Sequence, residues 1–312
     1  MPTLRERLEG GLYGLLIGDA LGVPYEFHRP EALPPQPEIE MTPPARFPRA
    51  HAGVAPGTWS DDGAQALALL ASLLDHAALE VGDVGARLVD WYQNGYLAVD
   101  RHVFDVGIQT RDAIGRMMSG TPASQAGRTD EQANGNGSLM RVLPLALWHR
   151  GSDEALVDDA HRQSCITHGH LRSQVCCALY CLWARRVLQE SAEPWADAVA
   201  SLRAIYGFTS PAYAELESSI RPDAFPAGQG SGYVVDSLHS ARWALNAGNY
   251  EQVVKSAIAL GHDTDTTACI AGGIAGLRDG IGAIPGRWRA QLRGQELVAP
   301  LWRRLAHWHA LL

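Results

Sequence analysis

The sequence predicts an all-α protein, and three observations carry that prediction. Apolar residues recur at helical spacing along most of the chain. Strict two-residue alternation is hard to find, and runs of β-branched residues are few. Proline and glycine gather in three long irregular stretches that read as loops between helices. The composition agrees: 312 residues, 46% hydrophobic and 19% charged, describe a globular chain with ample length for a core. No linker and no repeat of solenoid length divides it, so residues 1–312 are expected to form one domain.

The first helix is expected through GGLYGLLIGDALG, where Gly10, Gly14, Gly18 and Gly22 recur every four residues. Ala268, Gly272, Gly276 and Gly280 repeat that spacing near the other end. Each glycine inside a helix costs about 1 kcal/mol relative to alanine, so such a stripe makes sense where a second backbone comes very close. The alternative is loop glycines around shorter helices. Close packing predicts a central helix pair, apolar on nearly all sides, whose ends bring Glu26 towards Asp263 and Asp265. The segment from Pro30 to Pro56 has no helical period and reads as a long, functional loop. Ala66, Leu69, Leu70, Leu73 and Leu74 mark the next buried helix face. Gly120–Gly137 is a polar, glycine-rich loop. Val175, Ala178, Leu179, Leu182 and Trp183 mark another helix, and RPDAFPAGQGSG, from Arg221 to Gly232, a third loop. Val253, Val254, Ala257 and Ile258 follow the helical pattern again. The C-terminal stretch, with Trp302, Trp308, Leu311 and Leu312, is expected to close the core.

Charge and cysteine usage exclude several classes. Lys and Arg total 26 against 34 Asp and Glu, a formal net charge of −8. Such a chain lacks the basic footprint of a general nucleic-acid binder, although a local basic pocket for phosphate remains compatible. Asp19 interrupts the apolar GLYGLLIG stretch, so no segment is long enough to span a membrane. MPTLRERLEG has no apolar signal core. The five cysteines are odd in number, Cys176 and Cys177 are adjacent, and no CxxC pair occurs. Neither a disulfide framework nor a zinc ribbon is indicated, and a reducing cytoplasm is the expected location.

Two acidic motifs carry the chemistry. In GTWSDDGAQ, Ser60, Asp61 and Asp62 stand immediately before the Leu-rich helix. Ordinary helix capping explains one or two of the three, but does not require an adjacent Asp pair. In GHDTDTTACIAGG, Asp263, Asp265 and Thr266 precede the small-residue helix. DTDTT also fits the DxDxT of haloacid-dehalogenase phosphatases, but those need a buried strand before the first Asp. Here EQVVKSAIALGH has helical period. Both motifs offer hydroxyl and carboxylate oxygens with no soft ligand, a donor set that selects Mg²⁺ or Mn²⁺ over zinc. With Glu26, five carboxylates would share one site. Carboxylates that close raise one another's pKa unless cations intervene, and two divalent cations offset four of the five charges. Paired metals of this kind lie about 3.5–4 Å apart and orient one substrate between them.

Four segments, GDALGVPYEF, GTWSDDGAQ, GNGSLMRVLPLAL and GHDTDTTACIAGGIAGL, resemble the motifs of the ADP-ribosylglycohydrolase family. That family includes the dinitrogenase-reductase-activating glycohydrolase and the metazoan ADP-ribosylhydrolases. The resemblance runs from about residue 8 to about residue 280, in the family's order. It implies a compact orthogonal helical bundle. It also implies hydrolysis of the N- or O-glycosidic bond between ADP-ribose and its acceptor. Carried over residue by residue, Ser60, Asp61, Asp62, Asp263, Asp265 and Thr266 match the ligands of two metal ions, Mg²⁺ or Mn²⁺. Glu26 matches the glutamate near the metals and the scissile bond, and with Asp61 and Asp62 makes the expected catalytic set. Gly135, Asn136, Gly137 and Ser138 match a loop holding diphosphate and ribose, where glycines let backbone N–H groups approach phosphate. His168 matches a phosphate-side histidine; a plain core or helix-end role, or zinc shared with His170, are its other readings. Asp105 and Gly107 resemble a ribose-lining segment, and Tyr233 an aromatic beside the adenosine that is equally readable as core. Two positions depart from the family's pattern: Gly63, where Thr is common, and His262, which would put a cation or proton donor at the site's edge.

The expected mechanism has the two ions binding the cis-diol of the distal ribose. Glu26 then stabilises oxocarbenium-like charge or deprotonates the attacking water. The expected partner is an ADP-ribosylated protein side chain, nucleobase or small molecule, with no membrane. Two other functions fit the same residues: an ADP-ribose-binding module without turnover, and a metal-dependent phosphohydrolase acting on the diphosphate. Product analysis separates them, since glycosidic cleavage leaves ADP-ribose intact.

Overall fold

The computed structural model describes residues 1–310, which form fourteen α-helices and no strands. They are α1 (Leu4–Gly22), α2 (Asp61–His76), α3 (Val81–Asn94), α4 (Ile108–Met118), α5 (Leu143–Trp148), α6 (Asp153–Ser164) and α7 (Leu171–Leu188). α8 (Pro194–Tyr206), α9 (Pro211–Glu215), α10 (Val234–Ala244), α11 (Tyr250–Ile258), α12 (Thr264–Asp279), α13 (Gly286–Gln291) and α14 (Gln295–Trp308) complete the series. The expected all-α bundle is the architecture observed. Isolated bridges between Arg128 and His168, and between Gly135 and Tyr233, tie loops to one another.

Local chemistry starts the helices. Thr3 and Glu6 form a capping box on α1, and Asn249 with Gln252 forms another on α11. Ser60 caps α2 by accepting the N–H of Asp62.

At the centre, α1 and α12 run antiparallel through the two small-residue stripes. A Cβ on Gly14 would lie 2.5 Å from the carbonyl oxygen of Gly272, and one on Gly272 equally close to that of Gly14. Added Cβ atoms on Gly10, Gly18 and Gly276 would overlap the carbonyl oxygens of Gly276, Ala268 and Gly10. Gly22 faces the backbone of Asp265 in the same way. The glycines are therefore the condition for backbone contact, as the stripe predicts. Gly280 differs: it follows the last residue of α12 with φ +77° and terminates that helix. Tyr180 and Tyr250 lock the pair to its neighbours, donating to the carbonyls of Ile270 and Gly14 at 2.8 Å each.

The core surrounds this pair. Cys176, Cys177, Cys181 and Cys269 are buried in it as free thiols, and Cys165 is half-buried. Trp302 is buried, and Trp308 stacks on Trp148 with ring centroids 5.4 Å apart. These two indoles close the core as expected; Leu311 and Leu312 lie outside the described residues. Among the described residues, no helix is long and apolar enough to cross a membrane. The three predicted loops are irregular, with short 3₁₀ turns at Pro30–Ala32 and Gln36–Glu38 in the first and Ala123–Gln125 in the second.

Candidate active site

Antiparallel packing sets the end of α1 beside the start of α12, and α2 begins against the same point. Asp19, fully buried in α1, joins them. Its carboxylate accepts the N–H of Ser60 at 2.9 Å and of Gly63 at 2.8 Å, two of the unpaired donors at the start of α2. Gly63 has no room for the larger residue common in the family, because a Cβ there would lie 2.8 Å from both Leu16 and Trp59. A short turn, Val23–Tyr25, then delivers Glu26 to the same place.

The result is a cavity of about 570 Å³. Glu26, Asp61, Asp62, Asp105, Asp263 and Thr266 line one wall. The two acidic motifs meet directly: the Thr266 hydroxyl donates to Asp62 Oδ1 at 3.3 Å. Carboxylate oxygens of Glu26, Asp263 and Asp265 lie within 4.8 Å of one another. The same spacing groups Glu26, His51 and Asp105.

Capping does not account for these acids. Ser60 already caps α2, and Asp263, at the cap position of α12, makes no side-chain cap bond. Its Oδ2 accepts from Asn136 Nδ2 at 2.8 Å instead. Asp61 Oδ2 accepts from Gln65 Nε2 at 2.8 Å, and Asp265 Oδ1 from the Thr266 N–H at 2.8 Å. Asp62 Oδ2 and Asp265 Oδ2 are buried with no hydrogen-bond partner.

The electrostatics follow from that crowding. Burial pushes the Glu26 carboxyl up to about 11, with Asp105 and Asp263 adding to the push. Burial likewise lifts Asp19 to about 7, against the pull of the Ser60 and Gly63 N–H groups. Asp105 is lifted to about 6 by burial and then by Asp263. Asp61, Asp62 and Asp265 are all held well above the ordinary carboxylate range, by burial first and neighbouring carboxylates next. Buried oxygens without partners, in a set made only of oxygens, fit hard divalent cations.

A second wall comes from the second loop, the segment before α7 and the residue that starts α10. Gly135, Asn136, Gly137, His168 and Tyr233 face the cavity, and Gly107, at the start of α4, stands at its edge. The need for glycine here is not the expected one. The N–H groups of Gly135 and Asn136 are already engaged, by Gln109 Oε1 at 3.0 Å and the Gly232 carbonyl at 3.1 Å. What excludes side chains is packing: a Cβ on Gly137 would lie 2.8 Å from the His168 ring, and one on Gly135 2.8 Å from Gln109. Tyr233 is 40% exposed, its hydroxyl accepting from Arg172 at 3.2 Å, so it stands at the rim and not in the core. Asp105 adopts φ +55°, a costly conformation for a non-glycine residue, with Oδ1 3.9 Å from His51 Nε2.

Three expectations need correction. Ser138 does not reach the cavity; its hydroxyl is buried against Ser164 at 2.8 Å and Cys177 Sγ at 3.4 Å, because the chain turns inward there towards α7. His262 is exposed and does not line the cavity. It sits at φ +60° between two backbone hydrogen bonds, to the His28 carbonyl and from the Phe27 N–H. His170 caps α7 by accepting the Arg172 N–H at 3.2 Å, and no metal-spaced group among the described residues contains it or His168. The dehalogenase reading fails as well, since the segment before Asp263 is α11 and not a strand.

Four residues escaped the sequence reading. Asp19 left a signal, a lone acid in an otherwise apolar helix that must find donors. Arg141 left a similar one, a cation inside the apolar LMRVLPLAL run. His51, whose Nε2 meets Glu26 Oε2 at 2.7 Å, comes from an irregular loop with no local pattern. Gln65 sits four residues after Asp61, one helical turn on.

Known proteins resemble the chain over its whole length. The ADP-ribosylglycohydrolase family profile matches residues 1–310. The ADP-ribosylarginine hydrolase Tri1 of Pseudomonas putida (strain GB-1) is 30% identical over 316 aligned residues, covering 96% of this chain and 78% of that protein. The ADP-ribosyl-[dinitrogen reductase] glycohydrolase of Rhodospirillum rubrum is 28% identical over 93% of this chain and 92% of its own. A solved structure described as an ADP-ribosylglycohydrolase-related protein complex superposes with a TM-score of 0.77 at 30% identity, covering 99% of both chains. This chain belongs to the ADP-ribosylglycohydrolase family.

Proposed function

We propose that the chain is a hydrolase of one domain, residues 1–312, that cleaves the glycosidic bond between ADP-ribose and an acceptor with the help of two divalent cations. The observation that carries this reading is the meeting of Asp61, Asp62 and Asp263 at one cavity, with Asp265 buried within reach of Glu26 and Asp263, and with Asp62 Oδ2 and Asp265 Oδ2 unpartnered. Relatives named for ADP-ribosylarginine and ADP-ribosylated dinitrogen reductase support a protein side-chain acceptor, arginine first. Five free cysteines suit a reducing compartment, the cytoplasm.

Ser60, Asp61, Asp62, Asp263, Asp265 and Thr266 would hold the cations, Mg²⁺ or Mn²⁺. Bound divalent cations supply Lewis-acid polarisation and acidify coordinated water. The chain's own residues do the rest. Asp19 orients the start of α2, and with it Asp61 and Asp62. Asn136 orients Asp263. Glu26 Oε2 and His51 Nε2 lie 2.7 Å apart; once cations offset the neighbouring carboxylates that hold Glu26 protonated, Glu26 would pass its proton to His51 and accept one from the attacking water. Asp105 and Gly107 flank the ribose, and His168 and Tyr233 take the phosphate and adenosine sides.

The test is a panel of ADP-ribosylated arginine, serine, thymidine and guanosine substrates, with and without EDTA. Release of intact ADP-ribose that stops with EDTA and returns with Mg²⁺ or Mn²⁺ supports the reading. Binding without turnover, AMP as product, or rescue by Zn²⁺ alone contradicts it.

A further inference from the structure

Arg141 is a buried ion that none of the steps above uses. It is fully buried, yet no carboxylate accepts from it. Its Nε donates to Gln163 Oε1 at 3.1 Å and its Nη2 to the Gln163 carbonyl at 2.9 Å. Its Nη1 donates to Thr167 Oγ1 at 2.8 Å, and to Gln65 Oε1 and the Gly137 carbonyl at 3.2 Å each.

A guanidinium only donates, so every group that touches it must turn an acceptor inward. Gln65 therefore presents Oε1 to Arg141, which leaves its Nε2–H pointing at Asp61 Oδ2, 2.8 Å away. Thr167 Oγ1 accepts from Arg141, and its own proton is left for the one remaining neighbour, His168 Nδ1, at 2.8 Å. Were Nδ1 the donor instead, the hydroxyl proton of a fully buried threonine would have no acceptor among the described residues. The His168 ring is neutral, because burial and then the Arg141 charge push it down to about 3. A neutral ring with a bare Nδ1 carries its proton on Nε2. That nitrogen lies at the cavity face, 3.4 Å from where a Cβ on Gly135 would stand, and no described residue accepts from it.

We propose that Arg141 is a positioning residue that sets the polarity of both cavity walls. Through Gln65 it holds an N–H donor on Asp61. Through Thr167 it fixes His168 as the Nε2–H tautomer, an uncharged donor for a substrate oxygen. The network itself stands on hydrogen-bond direction alone; that the oxygen belongs to ADP-ribose rests on the proposed function.

The experiment is ¹⁵N NMR of the His168 ring in the full, ligand-free chain at pH 7, paired with calorimetry using ADP-ribose. Wild type is expected to show a protonated Nε2 and a bare Nδ1. Thr167→Val removes the hydroxyl at nearly constant volume. It should mix the tautomers and weaken ADP-ribose binding by ~10-fold, the worth of a lost hydrogen bond to a charged oxygen. Thr167→Ser should restore both. Arg141→Met should disturb the ring in the same way, and Arg141→Lys should not rescue it, since a point donor cannot reproduce the fork; if either fails to fold, the Thr167 pair still decides. A protonated Nδ1 or a cationic ring in wild type overturns the proposal, and so does a Thr167→Val protein with unchanged tautomer. A wild type with the expected tautomer but no ADP-ribose binding overturns the functional reading and leaves the network standing.

Discussion

The α1–α12 pair has two unlike halves. Along the seam from Gly10 to Gly18, backbone meets backbone, and among the described residues no buried side-chain polar atom there lacks a partner. At the far end, one turn beyond Gly22, the same two helices deliver Glu26, Asp263 and Asp265 into mutual repulsion, with buried carboxylate oxygens unpartnered. The first half is dense and satisfied. The second is charged beyond what its own residues neutralise. Close contact at the seam fixes the helices rigidly enough to hold acids together that would otherwise part. Strain of this kind persists only where surrounding structure over-determines it, and it marks the end of the pair built for a ligand.

Substitutions at the two ends should fail in opposite ways. The largest effect is expected at the acid end. Asp61→Asn or Asp265→Asn should abolish metal-dependent turnover while helical circular dichroism is kept and the metal-free protein melts no lower. Retained activity would remove these acids from the site. Glu26→Gln should keep ligand binding and lower the chemical step by ~10²-fold, within the usual worth of a proton-transfer group; unchanged turnover excludes it from the mechanism. At the seam, Gly18→Ala should cost about 1–3 kcal/mol through overpacking against the Ala268 carbonyl, read as a lower Tm. An unaltered Tm would mean the helices part without penalty.

The smallest effect sharpens the contrast through pH. Asp105 is raised to about 6 and Asp19 to about 7, with Glu26 higher still. Raised carboxyls favour the fold when protonated, so the metal-free protein keeps that stability at about pH 4 and loses it as pH rises through 6 and 7. Cations replace those protons. The gap in Tm between the Mg²⁺-loaded and EDTA-treated protein should therefore widen from pH 5 to pH 8. A gap that is constant or shrinks would detach the carboxylates from metal binding.

Much of this was legible because it is local. Helical period, the Ser60 cap and the four-residue glycine spacing all operate within a turn or two of chain. The acids of both motifs announced themselves by exceeding what capping needs. Asp19 and Arg141 were visible as charges in apolar runs, but their partners were not. Ser60 lies 41 positions from Asp19, and Thr167 lies 26 from Arg141. Ser138 and His262 sit in motifs yet point elsewhere, since side-chain direction depends on what packs behind the loop.

The sequence by itself determined an all-helical chain, a glycine seam and an oxygen-only donor set, because residue type and short-range spacing decide those. Only the tertiary structure decided which carboxylate oxygens stay unpartnered, which way Ser138 turns, and which histidine nitrogen meets the cavity. Each of those depends on the direction of a hydrogen bond between residues far apart in sequence, such as Thr266 and Asp62, 204 positions distant. Such a direction exists only once folding has brought donor and acceptor together.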